Sequence, residues 1–298
     1  MKEELKEKRP LREELTGKYP PFIDQPPIRG VGGDYQPVSV HGEDRLEHQV
    51  SAAAAHMLVE HLFTPGTQEV PGVEYAVEYK LAQGRAGGDI VDVYQFDNES
   101  VAFSVADISG KGVQAAIHAS MIKYGLRAYA SIGLVAETVL RSLDRLYLEN
   151  SAYEGSESFA TVFFGHVDKK RRNMVYASAA HNSALIMDLG QAPRQLEVTA
   201  PLLGVFDDQQ HLFNQMIIPL FADSILVVVT DGVTEARTEG YEFFGLARLA
   251  SVMERERRQP MANLAHAIIT EALAFAGGRA HDDMAVLAVR FTGREPSA

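Results

Sequence analysis

VADISGKGVQAA, Val105 to Ala116, closes an apolar run on an aspartate, turns through Gly-Lys-Gly and enters a run of small residues. Gly110-Lys111 suggests a phosphate loop built from backbone amides, whereas Asp107 suggests a metal, and the two readings imply different enzymes. Spacing separates them. A Walker A loop runs G-x-x-x-x-G-K-[ST]; counting back from Gly110-Lys111 puts Val105 at its first glycine and Gly112 at its hydroxyl position. The pattern fails twice. Gly110 and Gly112 fit instead a chain that folds back beside Asp107 and can offer a backbone carbonyl to a cation, with Lys111 a solvated charge on the turn.

Outward from this stretch the texture is that of strands. VEYAVEYK alternates, and SVAFSVAD, SFATVFFGHVD, NMVYASA, SALIMD, FNQMIIP and SILVVVTD are short β-branched or aromatic runs bounded by turn residues. Apolar residues near the 3.6 period mark helices over 113–130 and 134–149 as one pair, and over 246–257 and 261–276 as another. Strands follow one another in runs instead of alternating strictly with helices, which predicts an α+β sandwich and not a doubly wound parallel sheet. Residues 1–42 mix charge with Pro and Gly and read as a flexible arm; 43–70 read as an N-terminal helix, Glu43 to about Phe63, and a linker. The main domain is expected over 71–292, with a tail at 293–298. The Ala-rich face of the N-terminal helix leaves two roles open, packing on its own domain or pairing two subunits as a homodimer.

Composition excludes several chemistries. Cysteine is absent, which removes disulfides, thiolate metal sites and cysteine-nucleophile phosphatases. With 28 Lys+Arg against 40 Asp+Glu the net charge is −12, which argues against nucleic-acid partners and against a nuclease. No run approaches the ~18 apolar residues of a membrane span, and MKEELKEKRPLREEL lacks the apolar body of a secretory signal, so a cytoplasmic protein without membrane partners is expected.

Three aspartates share one context. Asp107 ends SVAFSVAD, Asp231 follows SILVVVT, and Asp282 stands just before the apolar run MAVLAVRF. A strand-end aspartate is commonly a turn former, but three of them, two closely followed by Gly, shift that balance. A fourth lies in AGGDIVD, where Gly87 and Gly88 permit close backbone approach to Asp89, with Asp92 three residues on. Should Asp89, Asp107, Asp231 and Asp282 converge, their charges would repel and raise one another's pKa. Two divalent cations balance the formal sum, and all-oxygen ligation suits Mg²⁺ or Mn²⁺. Such a pair, typically ~3.5 to 4 Å apart, can activate water in line with phosphorus, which predicts phosphoester hydrolysis.

Assembled in order, these segments resemble the metal-dependent PPM-type serine/threonine protein phosphatases, in particular their RsbU and SpoIIE-like branch. AGGDIVD looks like that branch's GGDxxD motif, VADISGKG its D-[VI]-SGKG motif, VTDGVTEA its SDG/TDG motif and HDDMAVL its DDM[ST]V motif. The resemblance spans roughly 73–291. It implies a four-layer αββα sandwich, two antiparallel sheets flanked by helix pairs, with a binuclear Mn²⁺/Mg²⁺ site at one end. It implies too that Asp107 bridges both ions, that the Ile108 carbonyl completes one shell, that Asp89 serves the second ion, and that Asp231 and Asp282 serve the first. The implied substrate is a phosphoserine or phosphothreonine on a regulatory protein, an anti-sigma-factor antagonist of a partner-switching pathway, with an activating partner protein as a further expectation. The rival reading is a catalytically weak scaffold that binds such a partner; its signature, a lost ligand, is absent.

Other residues are weighed against ordinary roles. Asp283 is expected to support the ligands without binding metal, and Asp92 either holds water around a metal or faces solvent. Arg85 reads as an exposed charge with phosphate contact the alternative, and Glu235 as a turn carboxylate. His56 and His61 lack HExxH spacing. Ala285 stands where the family commonly has a hydroxyl; Ala180 and Ser183 replace Gly and Pro in SAAHNSAL, so His181 and Asn182 read as structural. Tyr147, Phe159, Phe163 and Phe164 are expected in the core.

Overall fold

A computed structural model of the chain describes residue 70 and residues 72–82, 88–95, 100–110, 113–154, 158–168, 172–206 and 212–292. The arm at 1–42, nearly all of the helix and linker at 43–70, the tail at 293–298, and Arg85, Lys111 and Gly112 lie outside the described residues.

Among the described residues the strands are β1 (Val73–Lys80), β2 (Ile90–Gln95), β3 (Ser100–Ile108), β4 (Ala160–Asp168), β5 (Asn173–Ala179), β6 (Ala184–Met187), β7 (Arg194–Gln195), β8 (Met216–Pro219), β9 (Ser224–Val229) and β10 (Met284–Phe291). They form two sheets, ordered β1-β10-β9-β6-β7 and β2-β3-β4-β5-β8, and every strand pair is antiparallel. The helices are α1 (Val113–Ser131), α2 (Ala136–Glu154), α3 (Asp231–Thr234), α4 (Gly245–Glu256) and α5 (Met261–Phe275).

Side-chain alternation sorts the apolar residues into three buried layers. On β3, Val101, Phe103 and Val105 point into a layer shared with Leu226 and Val228 of β9 and Leu287 and Val289 of β10, so the sheets pack face to face. The opposite parity of β3, Ala102, Ala106 and Ile108, packs on α1 and α2 through Ile122, Leu140 and Leu143. The opposite parity of β9, Ile225, Val227 and Val229, packs on α4 and α5 through Leu249, Leu264 and Ile268. The central strands are therefore buried on both faces, which is why SILVVV reads as an unbroken apolar run. The expected αββα sandwich is the observed one.

Three elements were not legible. β2 (IVDVYQ) carries Asp92 at its centre and reads as a motif instead of a strand; β7 and α3 are too short to show a period. β2 is an edge strand, yet nearly all of it is buried, and Tyr79 of β1 closes its open edge: the Tyr79 hydroxyl accepts from the Val91 N–H at 2.7 Å and donates to the Val91 carbonyl at 3.3 Å. One side chain thus joins the edges of the two sheets. The aromatic expectation fails at Phe159, which is 46% exposed, whereas Tyr147, Phe163 and Phe164 are fully buried. Phe159 precedes β4, where its carbonyl accepts from the Ser109 N–H and its own N–H donates to Ser109 Oγ.

Candidate metal centre

Each sheet brings two aspartates to one end by the same device. In the second sheet β2 and β3 pair with Ile90 opposite Ala106, so continuing the register places Asp89 opposite Asp107. In the first, Val286 of β10 lies opposite Val229 of β9, which sets the residues leaving β9, Thr230 and Asp231, beside those entering β10, Asp282 to Ala285. One aspartate departs and one arrives at neighbouring strand ends in both sheets. Glycines permit the approach: a Cβ on Gly88 would stand 2.4 Å from the Ile108 carbonyl oxygen, and one on Gly232 would stand 1.9 Å from that of Asp283. The Ile108 carbonyl is thereby held against the segment that carries Asp89.

The two pairs meet. Burial, and then the charges of Asp231 and Asp282, push Asp107 up to about 7, with a hydrogen bond from Asp89 opposing the rise and Asp283 adding to it. Asp89, 5% exposed, is raised well above the usual carboxylate range by burial and by Asp107, while a hydrogen bond with Thr230 opposes the rise. Asp231, whose side chain reaches solvent, is raised by partial desolvation, Glu235 and Asp282. The four predicted carboxylates are thus brought within mutual influence, although among the described residues no three acidic or histidine side chains already form a closed ligand set. Asp89 Oδ2 is buried without a hydrogen-bond partner. A buried, unpaired carboxylate oxygen among like charges fits divalent cations, and the oxygen-only donor set fits hard ones such as Mg²⁺ or Mn²⁺.

Neighbouring residues take other roles. Asp283 Oδ1 accepts the Ala82 N–H at 2.6 Å and its own N–H donates to Asp282 Oδ1 at 3.0 Å, so it ties the end of β1 and orients Asp282. Asp92 does neither of the things expected of it: it is 1% exposed and faces α1, where Arg127 donates through Nε (2.6 Å) and a terminal nitrogen (2.7 Å), with Lys123 Nζ at 3.7 Å. The Arg127 guanidinium also lies 4.9 Å from the Tyr94 ring centre. His181 is structural as expected. Its Nε2 lies 3.0 Å from the Val229 carbonyl and its Nδ1 3.0 Å from Thr161 Oγ1, so Nε2–H donates and Nδ1 accepts from the hydroxyl. Burial holds its pKa down at about 4. Ala180 beside it adopts φ 51°, a left-handed conformation that suits the glycine it replaces. Sequence reasoning missed Thr230, fully buried at the junction of the two sheets; its only signal was its place before Asp231.

Comparisons with known proteins bear on the fold and the family. A family model described as Stage II sporulation protein E (SpoIIE) matches residues 97–292. Phosphoserine phosphatase RsbU of Bacillus subtilis (strain 168) is 28% identical over 202 residues, covering 67% of this chain and 58% of the relative. Phosphoserine phosphatase RsbP of the same organism is 25% identical over 193 residues, 64% of this chain and 46% of the relative. The chain spans about half the length of the curated relatives it matches. Among solved structures, the RsbU and RsbW domains of Rv1364c from Mycobacterium tuberculosis superpose with a TM-score of 0.65 at 27% identity, covering 76% of this chain and 62% of that one. The SiaA-PP2C domain of Pseudomonas aeruginosa gives 0.68 at 19% identity, covering 85% and 100%. Sandwich and matched family model coincide, and the chain belongs to the Stage II sporulation protein E (SpoIIE) family.

Proposed function

We propose that the domain over 71–292 is a metal-dependent protein phosphatase that hydrolyses phosphoserine or phosphothreonine on a regulatory protein in the cytoplasm. The observation that carries this reading is the meeting of Asp89, Asp107, Asp231 and Asp282 at one end of the sandwich, with Asp89 Oδ2 buried and unpaired. In this reading Asp89, Asp107, the Ile108 carbonyl, Asp231 and Asp282 would hold the cations, with Asp107 between the two aspartate pairs. Bound Mn²⁺ or Mg²⁺ would supply Lewis-acid polarisation of a water and of phosphoryl oxygens. The chain's own part is to fix oxygen donors on rigid strand ends. Tyr79 anchors the strand that follows Asp89, and Asp283 orients Asp282. No thiol is required, in keeping with a chain that has none.

The relatives support the substrate class: RsbU and RsbP are phosphoserine phosphatases, and one similar structure joins an RsbU domain to an RsbW domain. We therefore assign as substrate a phosphorylated protein of a partner-switching pathway, of the anti-sigma-factor-antagonist kind, with regulation by a partner protein. Phosphate release from a phosphoserine protein and from a small aryl phosphate, with and without Mn²⁺, tests this. Wild type is expected to release phosphate only with the ion, and Asp107→Asn to lose at least about a hundredfold in kcat, roughly 2.7 kcal/mol of barrier. Equal rates in the two proteins would overturn the assignment of Asp107, and no release by wild type on either substrate would favour a binding scaffold.

A further inference from the structure

The ladder of β3 on β4 pairs Asp107 with Thr161 and Ile108 with Ala160, and it continues by one rung beyond the strands. The Ser109 N–H donates to the Phe159 carbonyl at 2.9 Å, and the Phe159 N–H donates to Ser109 Oγ at 2.8 Å. The residues on either side of Phe159 are held as well. Ser158 Oγ lies 2.7 Å from the hydroxyl of Tyr147, which is fully buried on α2, and Ala160 exchanges both backbone bonds with Leu203, at 3.0 and 3.2 Å. Phe159 thus has a fixed backbone and a ring that faces solvent. An aromatic side chain placed in this way loses little freedom when something covers it.

Alternation along β4 says which way the ring lies. Val162 and Phe164 face the helices α1 and α2, whereas Phe163 faces the other sheet. Thr161 has the parity of Phe163 and reaches toward that sheet: its Oγ1 is 3.0 Å from His181 Nδ1, and His181 Nε2 bonds the Val229 carbonyl of β9. Phe159 has the same parity two residues further out, at the open end between the sheets. Asp107 continues the parity of Val101, Phe103 and Val105 toward that same end. Two strand residues span about 7 Å, so Phe159 flanks the position opposite Asp107 without covering it. Past Leu203 the neighbouring chain runs on to Val205 and Phe206, both also exposed.

We propose that Phe159 is a specificity-determining docking residue: its exposed ring receives an apolar side chain next to the phosphorylated residue of a protein substrate. This role rests on the reading of the four aspartates as the centre that cleaves phosphoserine or phosphothreonine. A phosphoserine held there by its phosphate carries its neighbours in sequence at about 3.3–3.6 Å per residue, so those one or two places away come over the ring. A small aryl phosphate has no such neighbours and gains nothing from it.

Phosphate release by the full chain with Mn²⁺ from three probes tests the proposal: p-nitrophenyl phosphate, a phosphoserine peptide with leucine on both sides of the phosphorylated residue, and the same peptide with glycine in those places. Wild type is expected to favour the leucine peptide about tenfold in kcat/KM, the size usual for a modest apolar contact. Phe159→Ala should bring that preference within about twofold of unity, and Phe159→Leu, which keeps an apolar surface, should retain most of it. The substitution leaves the backbone bonds to Ser109 in place, and a ratio taken between two peptides within one protein cancels any general loss of activity. Equal rates of wild type on the two peptides, an undiminished preference in Phe159→Ala, or release from the aryl phosphate with none from either peptide overturns this inference alone. So does a wild-type dimer in sedimentation equilibrium that Phe159→Ala converts to a monomer, since a second copy of the chain would then cover the ring. No release from any of the three probes defeats the phosphatase reading itself and this inference with it.

Discussion

Protonation of His181 would require one of its committed ring nitrogens to change role, because Nε2 already donates to Val229 and Nδ1 already accepts from Thr161. The ring bridges β4 of one sheet to the end of β9 in the other and is held neutral by burial, with a pKa of about 4 against an ordinary 6.5. The unfolded chain therefore binds the extra proton first as pH falls. His181's contribution to stability is complete above pH 6.5, declines between 6.5 and about 4, and amounts to about 3 kcal/mol over that window. The difference in unfolding free energy between wild type and His181→Phe should shrink by that order from pH 7 to pH 4; a constant difference would show that the ring is already charged when folded. The structural role of His181 was legible in the chain because the motif around it is a turn. Its partners, 20 and 48 residues away, were not, since hydrogen bonding across a sandwich leaves no local pattern. The same is true of Asp92, whose acceptor oxygens are satisfied by a helix 35 residues downstream.

That ion pair is a polar fastening between β2 and α1, beside the apolar layer that packs the helices on the sheet. Asp92 is fully enclosed, while the Arg127 side chain is 40% exposed and stacks on Tyr94. Removing one partner of a fully buried pair typically costs 3–5 kcal/mol, but solvent reaches the guanidinium and Lys123 remains near, so Arg127→Ala is expected to lower stability by about 1–3 kcal/mol. Arg127→Lys should recover only part of this, because a single ammonium cannot reproduce the two-pronged bond. Urea denaturation measures both; a loss below about 0.5 kcal/mol for Arg127→Ala would mean that Asp92 is satisfied without it. Helix positions agreed closely with apolar periodicity: α1, α4 and α5 end within one residue of expectation, and α2 runs on to Glu154. β2 escaped because a strand with a buried aspartate breaks the alternation that identifies strands.

For the whole molecule the balance lies between two packed sheets and the charge repulsion at their shared end. The apolar layers draw the strand ends together and bury the carboxylates carried there, so that burial first and mutual repulsion second raise Asp107 and Asp89 above the ordinary carboxylate range. Divalent ions that bind the folded form alone should therefore raise its melting temperature. At an ion concentration a hundred times the dissociation constant the gain is about 2.7 kcal/mol, or roughly 5–10 °C for a domain of this size. Chelation should reverse it, and Asp107→Asn should reduce it to a small fraction; an equal shift in the variant would show that the ion binds elsewhere. No helix among the described residues is long and apolar enough to cross a membrane. By itself the sequence determined the strand and helix segments and an α+β sandwich, because those periods are local, with the four-layer order implied by the family resemblance; it also singled out Asp89, Asp107, Asp231 and Asp282 as candidates, because each stands at one end of an apolar run. Only the tertiary structure decided that Asp92 is an internal ion-pair partner and that Phe159 lies outside the core. Those roles depend on which distant groups meet a given side chain, and that is set by the packing of one sheet on the other.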